Sequence, residues 1–142
     1  MMLQRLLGSA RGAAATEFAL VAPTFLMMIF VMLDGGRMLF TKQALNELAA
    51  AGARCSALKA TGCATTSAAQ TWIATRGQQR SMLSVSSAMV TVDQTSTTTC
   101  NGQTGNMAKV TIVMPYNKSG MNLLPQSVVP SNLTSISCFP AA

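Results

Sequence analysis

The chain contains no histidine. That absence removes the commonest general base, the commonest metal ligand, and every Ser-His-Asp or Cys-His arrangement. Acids are almost as scarce: Glu17, Asp34, Glu47 and Asp93 are the whole set. Charged residues make up 10% of the sequence and hydrophobic residues 49%, whereas ordinary soluble domains carry roughly 25% charged residues. Such a balance is the reverse of a disordered chain. It points to a membrane segment or to surfaces buried against partners. No C-x-x-C pair occurs among the four cysteines, so a zinc site or a dithiol redox motif is not expected. Nucleophilic catalysis needs a base beside the nucleophile. Lys59, Lys109 and Lys118 are the candidates, and their spacing supports no Ser-Lys pair. The chain is expected not to be an enzyme and to hold no metal or cofactor.

The net charge is +6, from ten Lys and Arg against four acids. A nucleic-acid footprint requires clustered bases. Here Arg5 and Arg11 precede the apolar stretch and the rest are scattered, with no interleaved aromatics. Nucleic acid is therefore not an expected partner.

What the chain does have is a long apolar run. Residues 1–12, MMLQRLLGSARG, form a short basic leader ending in Gly. Residues 13–33, AAATEFALVAPTFLMMIFVML, would span about 30 Å as a helix, the thickness of a bilayer core. Glu17 is the single charge in this stretch and lies near its start. Thr16 and Thr24 can bond to their own helix backbone, and Pro23 is tolerable there. From Phe18 to Leu33 there is no polar face, and a domain this small would struggle to cover such a segment on all sides. A secretory signal would need a shorter apolar core and a small-residue cleavage site after it. This run instead leads into a helical pattern. A retained anchor is the better reading. Arg5 and Arg11 place the N-terminus in the cytoplasm and residues 35–142 outside.

Beyond the run, Met38, Leu45, Leu48, Gly52 and Cys55 recur at helical spacing, and Ala is abundant. One long helix is expected from about residue 14 to residue 59, with Gly35-Gly36 as a soft point. A polar break at 60–66 precedes a shorter helix at 67–83, whose face comprises Ala69, Trp72, Ile73 and Arg76; Gly77 weakens it. Ser84–Asp93 reads as a strand, and 94–106 as a polar loop with an Asn-Gly turn. Met107–Pro115 is the clearest strand, with Val110, Ile112 and Met114 on one face. A connection broken by Pro125 and Pro130 leads to a last strand at 133–139, with Leu133, Ile136 and Cys138 in imperfect alternation. The fold class is α+β: a long helix with a membrane half and an amphipathic half, a second short helix, and a small antiparallel sheet of three strands.

Cys55, Cys63, Cys100 and Cys138 lie on the outer side and allow three pairings. The favoured one is Cys55–Cys63, pinning the loop after the long helix, with Cys100–Cys138 tying the polar loop to the last strand. Disulfides imply an oxidising compartment such as a periplasm.

The sharpest local feature is Arg11-Gly12-Ala13-Ala14-Ala15-Thr16-Glu17-Phe18, followed at once by the apolar span. It resembles the class III signal of type IV pilins and pseudopilins. The resemblance implies cutting between Gly12 and Ala13 by a prepilin peptidase. It also gives Glu17, with Phe18 beside it, a role in assembly. Further pieces follow in order: Glu17-Phe18-Ala19-Leu20, Pro23, Gly36-Arg37, Gln43-Ala44 and Gly52-Ala53-Arg54. Together with Arg11-Gly12 they resemble the TadE-like family of the tight-adherence (Tad) pilus system. Thr16 and Asp34-Gly35 depart from the family's usual residues. The later, β-rich portion resembles the family only loosely.

What the resemblance implies is a minor pilin or pseudopilin. Residues 1–12 would be a cleavable leader, 13–34 a transmembrane and filament-core helix, and 35–142 a periplasmic or extracellular domain. The partners would be the prepilin peptidase, major and minor pilins, and the inner-membrane assembly platform. The chain would move from the bacterial inner membrane to a pilus used in surface adhesion. The alternative is an uncleaved, membrane-anchored scaffold or binding protein.

Overall fold

A computed structural model describes residues 10–81, 83–95, 97–116 and 130–141. The layout is α+β. Helix α1 (Ala10–Ala57) is followed by α2 (Thr66–Ser81), a single 3-10 turn (Ser87–Met89), β1 (Val90–Asp93), β2 (Thr98–Cys100), β3 (Gln103–Gly105), β4 (Met107–Pro115) and β5 (Asn132–Pro140). The main sheet has the order β1-β4-β5, antiparallel throughout, and β2 and β3 form a separate hairpin.

Helix α1 is 48 residues long, about 70 Å at 1.5 Å per residue. It passes through Pro23 and through Gly35-Gly36 without a break, so the expected soft point is continuous helix. Its C-terminal part is the spine of a globular head. Leu45, Leu48, Ala49, Ala53, Ser56 and Ala57 are buried there, a stripe at the three-and-four spacing of one helix face. Met38, Ala44 and Cys55 are partly buried against the same core.

The helix ends in a Schellman motif. The Ala60 N–H donates to Cys55 O (3.1 Å) and the Lys59 N–H to Ser56 O (3.3 Å), with Lys59 at φ 46°. A turn closed by the Cys63 N–H on Ala60 O (2.8 Å) follows, with Gly62 at φ 91°. These two reversals bring Cys63 back to Cys55, and the two are joined by a disulfide across a Cα–Cα distance of 5.7 Å.

Thr65 then caps α2. Its hydroxyl accepts from the Ala68 N–H at 3.3 Å, an N-cap contact that satisfies one of the free first-turn amides. α2 stops at Ser81, short of the expected end. Gly77, which weakens the helix by propensity, is buried where a Cβ would lie 3.0 Å from Leu48 of α1. Gly52 plays the reciprocal part, facing Ile73 of α2. The two glycines let the helices approach closely.

Both helices pack on one face of the sheet. Val90 and Val92 of β1, Ala108, Val110, Ile112 and Met114 of β4, and Leu133 of β5 close the core against Leu45, Leu48, Ala49, Ala69 and Ile73. The first strand is shorter than expected. Only Val90–Asp93 pairs with β4, because the 3-10 turn at Ser87–Met89 interrupts the extended chain. Val85 is buried ahead of that turn. The Gln70 side-chain amide donates to Val90 O at 2.8 Å and ties α2 to the head of β1.

The last strand departs from its expected alternation at Ile136. Leu133 and Ser135 point into the core, while Ile136 is 57% exposed. Ser135 takes an inward place because its hydroxyl donates to Asn46 Oδ1 of α1 at 2.7 Å.

The segment expected to be an open loop contains the β2–β3 hairpin. Asn101 at φ 50° and Gly102 at φ 82° form its turn, the residue pair that the two positive dihedrals of a tight hairpin favour. The hairpin lies over the outer face of the sheet. Cys100 is bonded to Cys138 of β5, Lys109 Nζ donates to Thr99 O at 3.4 Å, and Thr98 is buried. The connection containing Pro125 falls outside the described residues, as does most of the basic leader.

Candidate functional site

Among the described residues, nothing packs around the first half of α1. Its most apolar window has a mean hydropathy of 2.0 and is 0% buried. Phe18 is 73% exposed and Leu20 79%, and Val21, Phe25, Leu26, Met27, Met28, Met32 and Leu33 are exposed around the helix. Bare apolar surface of this extent does not persist in water. By length and composition the segment can cross a membrane.

Its Thr24 hydroxyl is accommodated within the helix. Pro23 has no N–H to give the backbone ladder. One residue on, the Thr24 hydroxyl donates to Val21 O (3.0 Å) and Leu20 O (3.3 Å). A backbone acceptor for that hydroxyl is what an apolar surrounding demands.

Gly12 and Ala13 lie inside the first turns of α1, one residue apart on a continuous helix. Glu17 is one turn further along and exposed, and its side chain makes no hydrogen bond or ion pair with another described residue. Positions 13 and 17 share a helix face. Phe18 is the next residue along and is exposed as well. Glu17 is thus an exposed carboxylate near the start of an apolar surface.

Among the described residues of the head there is no comparable cluster of reactive groups. Among the described residues, no three His, Cys, Asp or Glu side chains gather as a ligand set. A shallow recess is lined, among the described residues, by Gln78, Leu83, Ser84, Val85 and Ser86, none of them titratable. Both disulfides lie in the head, and no described cysteine is free. Asp93 is held by Thr95, whose hydroxyl (2.9 Å) and N–H (3.1 Å) both donate to Oδ1. These bonds, with a smaller contribution from Lys109 opposite it on β4, hold the carboxyl below its ordinary value.

Sequence reasoning did not find two arginine stacks. The Arg54 guanidinium lies 5.4 Å above the Phe139 ring, joining α1 to β5, and that of Arg76 lies 4.9 Å above Trp72. Arg76 and Trp72 are one helical turn apart, a spacing that allows the second contact. Arg54 and Phe139 are too far apart in sequence to suggest the first.

Residues 12–54 match the model of a family described as TadE-like protein. The match begins at Gly12 and ends at Arg54, so it covers the bare apolar half of α1 and most of the helix that carries the head. No curated protein and no solved structure matches the chain.

Proposed function

We propose that the chain is a minor pilin or pseudopilin of a Tad (type IVc-like) pilus. The carrying observation is a coincidence of extents. The TadE-like match, residues 12–54, falls on one unbroken helix that is bare and apolar first and head-bearing second. A subunit that waits in a membrane and then packs by its helix needs this form.

In this reading the chain crosses the bacterial inner membrane once, N-terminus in the cytoplasm, with residues 35–142 outside. The prepilin peptidase cuts between Gly12 and Ala13 and releases the leader, residues 1–12. Cutting creates an ammonium group on Ala13. A carboxylate in an apolar surrounding is costly unless paired. With helices side by side and staggered, Glu17 of one subunit meets the Ala13 ammonium of its neighbour, while Phe18 packs beside the pair. The helix of residues 13–34 then leaves lipid for the filament core. Other pilins and the assembly platform are its partners, and the role is structural rather than catalytic: building, priming or capping an adhesive filament.

The disulfides support an extracytoplasmic head. The test is to shear filaments from cells and probe both sheared and membrane fractions with an antibody to the head. Presence in the sheared fraction, lost when the assembly platform is deleted, is expected. Retention in the membrane alone, with or without the platform, overturns the proposal in favour of a static anchored module.

A further inference from the structure

The exposed apolar surface of α1 does not stop where the membrane span does. Asp34 ends the apolar run, yet Leu39 and Phe40, about 9 Å further along the axis, are 67% and 75% exposed. The first fully buried residue, Leu45, comes later still. This short stem between span and head has a defined sidedness. At about 100° per residue, Arg37 and Lys42 each lie about 110° from the midpoint of Leu39 and Phe40, on opposite sides. Both bases are exposed. Met38, which is partly buried against the head's core, lies on the far side of the helix. Asp34, one turn before Met38, shares that far side. The apolar pair is therefore flanked by cations, with Asp34 and the head turned away from it; the exposed Glu47 shares its side of the helix but stands about 11 Å further from the span.

We infer that Arg37, Leu39, Phe40 and Lys42 form an interfacial anchor for the outer phospholipid surface, resting on the membrane-anchored reading above. An aromatic and an aliphatic residue bracketed by bases suit the boundary between acyl chains and headgroups. The Phe40 ring and the Leu39 methyls enter the boundary, and Arg37 and Lys42 extend their charged ends to lipid phosphates. An apolar helix longer than the hydrocarbon layer tilts, and flanking anchors decide the direction. The tilt here brings the Leu39–Phe40 side down to the lipid and lifts the head, on the Met38 side, clear of it. Before assembly, the subunit thus presents its head in one orientation rather than spinning freely about the span.

The test uses the full chain in vesicles, with fluorescence quenching by lipids brominated at different depths. The native chain has one Trp, Trp72 in the head, so each added Trp is read as an increment over it. Phe40→Trp should be quenched about twofold more by lipids brominated near the headgroup than near the chain end. Phe25→Trp should show the reverse order. Neutralising Arg37→Gln and Lys42→Gln should reduce Phe40→Trp quenching in phosphatidylglycerol-containing vesicles, and to a smaller extent in pure phosphatidylcholine. Quenching of Phe25→Trp without any of Phe40→Trp overturns the anchor and leaves the membrane span standing; a blue-shifted, unquenched Phe40→Trp in that case assigns the patch to a second copy of the chain. Unchanged quenching after both neutralisations overturns the role of the two cations. Absence of quenching at both positions removes the membrane reading and the anchor with it.

Discussion

Gly52 of α1 and Ile73 of α2 occupy nearly the same place: a Cβ on Gly52 would lie 2.5 Å from Ile73 Cδ1 and 2.8 Å from Cγ1. Both residues are buried, and Val110 of β4 stands just beyond at 3.7 Å from that Cβ. The side chain cannot retreat without disturbing the sheet. Gly52→Ala should therefore destabilise the head by about 1–3 kcal/mol, the usual cost of overpacking, despite the better helix propensity of Ala. Ile73→Val in the same chain should recover part of it. Urea unfolding of the detergent-solubilised chain, followed by Trp72 fluorescence, reads both. A neutral or stabilising Gly52→Ala would show that the two helices are not fitted at this point.

The two disulfides close loops of different length, 8 residues for Cys55–Cys63 and 38 for Cys100–Cys138. Loop entropy alone assigns them about 2.5 and about 4 kcal/mol. Replacing Cys100 and Cys138 together by Ser should cost more than replacing Cys55 and Cys63. It should also open the β2–β3 hairpin to protease, since this bond is the covalent tie between the hairpin and β5. Limited proteolysis mapped by mass spectrometry checks the location, and unfolding midpoints check the order.

Asp93 gives the head a pH dependence of known sign. Its carboxyl value is lowered in the folded state, first by the Thr95 hydroxyl and then by the Thr95 N–H. A lowered carboxyl contributes stability that is present above its unfolded value and is lost as pH falls through the folded one. The contribution is thus intact at neutral pH and disappears below the ordinary carboxylate range. Asp93→Asn should lower stability at neutral pH and flatten the loss on acidification. Equal acid sensitivity in the parent and the variant would place the effect elsewhere.

Glu17 tests the assembly step separately from folding. It is exposed and remote from the head, so Glu17→Ala should leave the unfolding midpoint of the head unchanged. Membrane insertion and leader removal should also be unaffected, while incorporation into sheared filaments should fall by about tenfold or more, the scale set by an uncompensated charge in an apolar site. Normal incorporation would rule out the pairing of Glu17 with a neighbouring ammonium.

Much of this fold is legible in the sequence, for reasons that differ between elements. α1 is visible because an apolar run and then a three-and-four stripe from Met38 to Cys55 persist over many turns. β4 is visible because Val110, Ile112 and Met114 alternate strictly on a centre strand buried on one face. The hairpin is not, since Thr98–Cys100 and Gln103–Gly105 are short and polar and only Asn101-Gly102 marks them. Ile136 misleads because an exposed Ile and an inward Ser135 reverse the usual rule. Ser135 is acceptable inside only through Asn46, a partner 89 positions away. Gly77 misleads in the opposite sense: it lowers helix propensity, and its value lies in the approach to Leu48. Leu39 and Phe40 read as ordinary helix residues until the head's extent is known, because exposure is a tertiary property.

Cutting of the helix before it is used separates a filament subunit from a static anchored module. The deciding measurement is the N-terminus of the chain recovered from membranes, by intact mass and N-terminal peptide sequencing, in cells with and without the prepilin peptidase. A start at Ala13 that reverts to the uncut leader when the peptidase is absent is the predicted result. An uncut leader in both cells would contradict it and leave an anchored module that never enters a filament.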